Sequence, residues 1–427
     1  MPQIELKYGN SRIPFEYDEN RFAVLGAERR FAPLTDAGIG ARLDAPVGSP
    51  PLEEIVEPGE TVLVVVPDAT RQTASAQVVN LLVRRLIANG TRPFDIRIIF
   101  ATGIHRAVTD DEKRALLTPF IHQRIRTLDH RARDLMRAAG LESTQFAGFG
   151  EFDGIPVELN RALVEHDRVI VVGGVTFHYF AGFTGGRKLI CPGLASEATI
   201  AATHRLAFDF ERHERRAGVG PGILDGNAVH EAFMKVAAHI EPSFSVNTIT
   251  DDRGQAVEVF AGDWRAAHRA ACAHYAAEHT VRIDEKRDLV IVSAGGAPYD
   301  LNLIQAHKAL EMASLACNDG GTIRFLAECP DGLGRDDFLD WFAAPTSAGL
   351  AENLVRAYQV NGQTAWSLLR KAERFRIEIL TSLPENQTRR MRLQKTEDFA
   401  KALNDLDPPA KGYILPDGAK FLIESRS

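Results

Sequence analysis

Between Val169 and Leu206 the chain carries Gly173-Gly174, His178, Gly185-Gly186, Lys188, Pro192-Gly193 and His204. Glycine pairs let a backbone come close to a bulky ligand. A lysine in such a loop can bond covalently to a prosthetic group or hold a phosphate. Histidines beside it can bind a metal and move protons near neutrality. The segment GFTGGRK at 182–188 is not a phosphate-binding P-loop, because Arg187 precedes Lys188 and Leu189 follows it where that motif has Gly before and Ser or Thr after. No G-x-G-x-x-G opens a helix after a strand, which disfavours an ordinary dissociable dinucleotide, and there is no HExxH.

Three further groups have the right chemistry. In Asp68-Ala-Thr-Arg71 an arginine can grip a carboxylate bidentately, with the aspartate orienting it or a nearby imidazole. His105 sits in a loop after an apolar run. Gln305 and Lys308, three apart at a helix start, share one face. His122, His130, His213, His239, His268, His274 and His279 lie in polar or helical runs and read as surface residues, and Cys191 as a small buried thiol.

These residues need a scaffold. Thr61–Pro67 (TVLVVVP) reads as a buried strand, followed by a helix near Ala76–Ala88 that Gly90 ends. Asp95–Ala101 is a second strand, and Thr109-Asp-Asp-Glu112 opens a helix with a capping box. Arg168–Val172 leads into the glycine loop, and Ser196 caps a helix carrying His204 near its end. Asp68, Arg71, His105 and His178 thus all follow the carboxyl ends of strands, where open parallel sheets place ligands. A second βαβ start comes from the strand Asp288–Ser293, a helix Asn302–Cys317 closed by Gly320-Gly321, and a strand Thr322–Ala327. Arg212–Gly226 reads as a polar loop over the first domain.

The fold class expected is therefore α/β in two domains, each with a mostly parallel sheet flanked by helices and the active site in the cleft between them. The division is 1–280, cofactor-binding and catalytic, and 281–427, Rossmann-like. The 427 residues are enough for two well-buried cores. A net charge of −7 argues against a nucleic-acid partner. The apolar runs are too short to span a bilayer, which argues against a membrane partner. The absence of a signal core and of cysteine-pair spacing among four cysteines points to the cytoplasm.

Taken together, Tyr8-Gly9, DATR at 68–71, ATGIHR at 101–106 and HDRVIVVGGVTFHYFAGFTGGRKLICPG at 166–193 resemble the lactate racemase family. ATHR at 201–204, ILDGN at 223–227 and GGAPYDLNLIQAHK at 295–308 extend the likeness through most of the chain. The resemblance implies a nickel-pincer nucleotide, Ni(II) pyridinium-3,5-bisthiocarboxylic acid mononucleotide, covalently attached at Lys188. It implies further cofactor contacts at Asp68, Gly185, Gly186, Pro192 and Gly193, and metal binding by His204, sixteen residues after the lysine. His105 and His178 match the family's acid and base. Arg71 matches its carboxylate anchor, Gln305 and Lys308 its substrate contacts (Lys308 also catalytic), and Trp366 a tryptophan lining its site. Partners implied are a small 2-hydroxy acid and the proteins that make the cofactor and insert nickel. Phe180 and Phe183 flanking the loop, and Ile304 before Gln305 where close lactate racemases carry an aromatic residue, bear on pocket size and so on whether lactate is the substrate.

The chemistry implied is inversion at C2 of a 2-hydroxy acid. Taking the C2 hydrogen as a proton leaves a carbanion beside a carboxylate, which enzymes stabilise with Mg²⁺ held by clustered carboxylates; no such cluster is spaced in this sequence. Taking it as hydride leaves a flat 2-keto acid, and two histidines then serve the hydroxyl protons of the two enantiomers. Two other readings stand beside this one: a zinc hydrolase or lyase built on His105, His178 and His204, and a non-catalytic protein that holds a nucleotide or organic acid.

Overall fold

The computed structural model describes residues 1–26, 31–396 and 410–426. Chain contacts divide it into two compact units.

The larger unit, Arg30–Ala207 with Ala217–Tyr275, is built on a six-stranded sheet. Its order is Ala256–Gly262, Phe244–Thr250, Arg168–Gly174, Val62–Pro67, Ile96–Ala101, Arg126–Asp129. All neighbours are parallel except the first pair. Val62–Pro67 lies in the middle and all six of its residues are buried, as a near-continuous apolar run requires when both faces are covered. On one face Val62, Val64 and Val66 pack on the helix Ser75–Ala88, which buries Val78, Val79, Leu82, Val83 and Leu86. On the other, Leu63 and Val65 join Ile190, Leu194, Ile200 and Phe233. The capping box forms as the sequence indicates: the Thr109 hydroxyl accepts from Glu112 N, and the Glu112 side chain reaches back to the Thr109 N–H.

The other unit joins Met1–Arg29, Phe208–Arg216 and Ala276–Ser427. Its six-stranded sheet is parallel throughout, in the order Gln394–Thr396, Arg376–Leu380, Cys317–Leu326, Arg287–Ser293, Gly412–Leu415, Phe22–Val24. Asn302 caps the helix Leu303–Ala316, accepting from Gln305 N.

Three features differ from the sequence expectation. The N-terminal residues and the hairpin around 208–216 group with the C-terminal unit, not with the rest of 1–280. Strand pairing explains the first, since Phe22–Val24 adds a parallel edge beside Gly412–Leu415. The second is a correction to the polar loop read at 212–226. Phe208–Asp209 pairs with Glu214–Arg215, the Phe208 ring packs edge-on against Trp366 at 5.0 Å, and Arg215 pairs with buried Glu311. Lastly, Gly320-Gly321 does not close the helix but lies inside Cys317–Leu326. No helix among the described residues is long and apolar enough to cross a membrane.

Candidate active site

Lys188 stands in a short 3-10 turn, Gly186–Leu189. The turn depends on glycine at two places. Gly186 has φ +50°, and a Cβ there would lie 2.6 Å from the His268 ring. A Cβ on Gly193 would lie 2.4 Å from Leu189 O and 2.8 Å from Lys188 O, so the chain after the turn folds back closely only with glycine. The Lys188 Nζ is 5.6 Å from the Phe180 ring centre and 5.7 Å from that of Phe233, within cation–π reach of both.

The same two rings flank His204, at 5.1 Å and 5.4 Å between centroids. His204 lies in the last turn of the helix Glu197–Arg205, whose cap Ser196 accepts from Thr199 N. Its Nδ1 is 2.8 Å from Ile200 O. A carbonyl only accepts, so Nδ1 carries the proton and Nε2 the lone pair. Burial first, then the Lys188 charge, pushes this imidazole down to about 3. It is neutral at physiological pH, the form that ligates a metal.

His178 is buried against the same aromatic group, 4.4 Å from Phe180 edge-on and stacked on Tyr179 at 5.3 Å. Its Nδ1 accepts from Ala181 N at 3.3 Å, which places the neutral ring's proton on Nε2. His105, about one-third exposed, has the opposite arrangement: its Nδ1 lies 2.7 Å from Asp68 Oδ2, leaving Nε2 as acceptor. The second Asp68 oxygen accepts from Thr70 N at 2.9 Å and from the Thr70 hydroxyl at 2.5 Å. Burial alone would raise the Asp68 carboxyl. The His105 hydrogen bond and charge, the Arg71 charge and the Thr70 hydroxyl outweigh it and hold the group below the ordinary carboxylate range. The His105 loop is tied to the lysine loop through Gly103 N, which donates to Gly193 O at 2.9 Å.

In the larger unit, Asp68, Arg71 and His105 follow the ends of parallel strands, His178 lies on the short strand Phe177–His178, Gly185, Gly186, Lys188, Pro192 and Gly193 lie in and around the lysine turn, and His204 stands on the helix after it. In the other unit, Lys308 Nζ donates to Gln305 Oε1 at 2.7 Å on the first turns of their helix, and both side chains are half-buried. Trp366 is buried in that unit's core, edge-on to Phe208 and beneath Arg370 at 5.3 Å.

Two histidines read as surface residues are buried, His130 and His268. His130 anchors the start of the His105 loop, its carbonyl accepting from the Thr102 hydroxyl at 3.1 Å. His268 lies against Gly186 and donates from Nε2 to Thr184 O at 2.9 Å, beside the Arg187 guanidinium. Spacing could not have found either, nor Phe233, because each meets its partners across long stretches of chain. Among the described residues no three His, Cys, Asp or Glu side chains come together as a metal site. His105, His178 and His204 therefore do not form the three-histidine zinc centre of the alternative reading.

Two family models cover most of the chain: the lactate racemase N-terminal domain matches 8–216 and the lactate racemase C-terminal domain 283–422. The lactate racemase of Thermoanaerobacterium thermosaccharolyticum is 31% identical over 348 residues, 80% of this chain and 78% of that one. The lactate racemase of Lactiplantibacillus plantarum is 30% identical over 345 residues, 79% and 77% of the two chains. The solved lactate racemase apoprotein from T. thermosaccharolyticum superposes with a TM-score of 0.88 at 26% identity, covering 99% of this chain and all of that one. A Thermotoga maritima protein shares the fold with a TM-score of 0.68 at 19% identity, over 93% of this chain and 100% of its own. The chain belongs to the lactate racemase family and is, by that membership, an isomerase.

Proposed function

We propose that this enzyme inverts C2 of a 2-hydroxy carboxylic acid, as a racemase or epimerase, with a nickel-pincer nucleotide tethered at Lys188. The observation that carries this reading is the pair Phe180 and Phe233, which flanks both the Lys188 amine and the neutral His204 ring. A single buried imidazole cannot hold a bare metal ion, so nickel beside His204 needs donors brought by an organic group. An amine in the same aromatic enclosure is a suitable point to attach one. Imidazole with soft sulfur donors suits nickel.

When bound, the group supplies a reversible acceptor for the C2 hydrogen as hydride. His204 would ligate the metal through Nε2. Gly185, Gly186, Pro192 and Gly193 shape the turn that presents Lys188. Arg71 would anchor the substrate carboxylate, while Gln305 and Lys308 would hold substrate oxygens and polarise the carbonyl as it forms. Trp366 backs this site in our assignment.

His105 and His178 divide the proton work. Asp68 and the Ala181 amide hold them in opposite tautomers, one offering a lone pair at Nε2 and the other a proton. One enantiomer would then lose its hydroxyl proton to His105 Nε2, and His178, once protonated from solvent, would return a proton to the substrate oxygen as C2 is inverted, His105 releasing its own proton to solvent so that the count balances. The reverse direction exchanges the roles. We place the enzyme in the cytoplasm, which is consistent with four buried, free cysteines. Cofactor-synthesis and nickel-insertion proteins are its proposed partners.

The test is a panel of chiral 2-hydroxy acids, aliphatic, aromatic, dicarboxylic and sugar-derived, with cofactor-loaded enzyme, followed by chiral chromatography. Substrate deuterated at C2 should keep its label through inversion. Washout of the label into solvent would refute hydride return and support a carbanion.

A further inference from the structure

The residue before Lys188 poses a problem of its own. Arg187 is among the largest side chains that are wholly buried, at 1% exposure. No carboxylate is among its partners. Its Nη2 donates to Ala181 O at 2.7 Å, and its Nη1 to Thr184 O at 3.4 Å and Gly185 O at 3.5 Å, while His268 Nε2 lies 2.9 Å from Nη1 and 2.9 Å from the shared acceptor Thr184 O. Its Nε, also buried, has no hydrogen-bond partner. Burial pulls the guanidinium down to about 10, which still leaves it charged at neutral pH.

A buried charge without a counter-charge is costly, and an apolar or neutral replacement is often no less stable. Here carbonyl dipoles stand in for the missing anion, and every one of them belongs to 181–185, the segment leading into the lysine turn. His268, on the distant helix Ala266–His279, fills the space under Gly186 with its ring. Burial, with the Arg187 charge second, holds His268 well below its ordinary value, and the neutral ring carries its proton on Nε2, which donates to Thr184 O at 2.9 Å. The Arg187 fork and the His268 N–H therefore converge on the carbonyls of 181–185 and pin the entry of the turn to that helix, while Lys188 leaves the turn toward Phe180 and Phe233.

We propose that Arg187 and His268 are a positioning pair for Lys188. The guanidinium fork, sharing the Thr184 carbonyl with His268, fixes the 181–185 entry to the turn so that the lysine amine stands over Phe180 and Phe233. The inference rests on the reading of Lys188 as the attachment point. It predicts that geometry at this turn, rather than overall stability, limits the attachment reaction.

The experiment compares wild type with Arg187→Lys, which keeps the charge but loses the fork, and His268→Gln, which keeps a donor. Each is produced with the cofactor-synthesis proteins. Mass spectrometry reads the fraction of Lys188 carrying the group. In unloaded protein, limiting acetic anhydride reads the acylation rate of Lys188 relative to exposed lysines, and thermal unfolding reads Tm. For Arg187→Lys we expect Lys188 loading and relative acylation rate to change together on the order of 10- to 100-fold, the scale of misplacing a reacting group by about 1 Å, with Tm little altered. His268→Gln should fall between it and wild type.

Wild-type loading in Arg187→Lys, or a fall in loading that merely tracks Tm, overturns the proposal and leaves the function reading intact. Absence of any Lys188 adduct in wild type sinks the function reading instead, and the acylation rates then decide the positioning role alone. Should Arg187→Lys fail to fold, unchanged loading and acylation in His268→Gln overturn the pair.

Discussion

Asp68→Asn is the sharpest test of how the proton is managed, because the surrounding hydrogen bonds dictate how the amide must sit. Both Thr70 groups donate to Oδ1, at 2.9 Å and 2.5 Å. In the variant the amide oxygen has to stay there, since an NH₂ would face two donors. The amide nitrogen then points at His105 Nδ1, 2.7 Å from the original Oδ2. It donates where the carboxylate accepted, so His105 flips to the tautomer with its proton on Nε2 and no longer offers a lone pair to a hydroxyl proton. Losing a charge-assisted hydrogen bond is worth about 1.5–3 kcal/mol, hence about 10- to 100-fold in rate. Complete loss of a general base caps the effect at about 10⁴-fold. Enantiomers have equal free energy in water, so for a racemised substrate kcat/KM has to fall by the same factor in both directions. For an epimerised one, the ratio of the two must keep its wild-type value. Progress curves from each stereoisomer, by chiral chromatography on variant and wild type loaded to the same extent, measure this. A change below about threefold, smaller than any lost general-base contribution, would refute the tautomer argument. So would full rescue of Asp68→Asn by raising pH.

The other predictions concern the metal, the fold and acid stability. His204→Gln should remain folded but lose nickel by elemental analysis. It should also flatten the acid limb of stability: His204 is held at about 3 in the fold against about 6.5 unfolded, so its contribution is complete above about pH 6.5 and is lost as pH falls toward 3, at up to ~1.4 kcal/mol per pH unit. An unchanged limb would show that the ring is not buried and neutral. Glu311→Gln strands Arg215 and Lys371, both paired to that carboxylate in the smaller unit, and should cost about 3–5 kcal/mol at pH 7. Burial would raise Glu311, but Arg215, Lys371 and His307 hold it below its ordinary range. Its stabilisation is therefore present above about pH 4.3 and lost below, so the gap between variant and wild type in urea melts should close in acid; a constant gap refutes this. Gly186→Ala should lose at least about 1–2 kcal/mol from its left-handed φ, before the collision with His268. An unchanged denaturation midpoint would mean the turn is not held as described.

Much of the scaffold was legible in the sequence. Buried strands, the helix near Ala76–Ala88, the Thr109 capping box and the Ser196 cap all depend on residues within about one turn or a strand's length of each other. Periodicity and cap chemistry report such neighbours directly. For the same reason, loops at strand ends located Asp68, His105, His178 and Lys188.

What the tertiary structure alone decided are meetings between residues far apart in the chain. His268 lies 81 residues from the arginine it packs beside; Phe233 shares an enclosure with Lys188 and His204; His130, plain in its local context, is buried behind the His105 loop. Strand pairing and one buried ion pair carry the N-terminal segment and the 208–216 hairpin into the C-terminal unit. Local sequence pattern fixes which face of an element turns inward, because that depends on 3.6- and two-residue periods. It does not specify which distant side chain will be waiting there, since that follows from the order in which strands stack and from the volume left between packed layers.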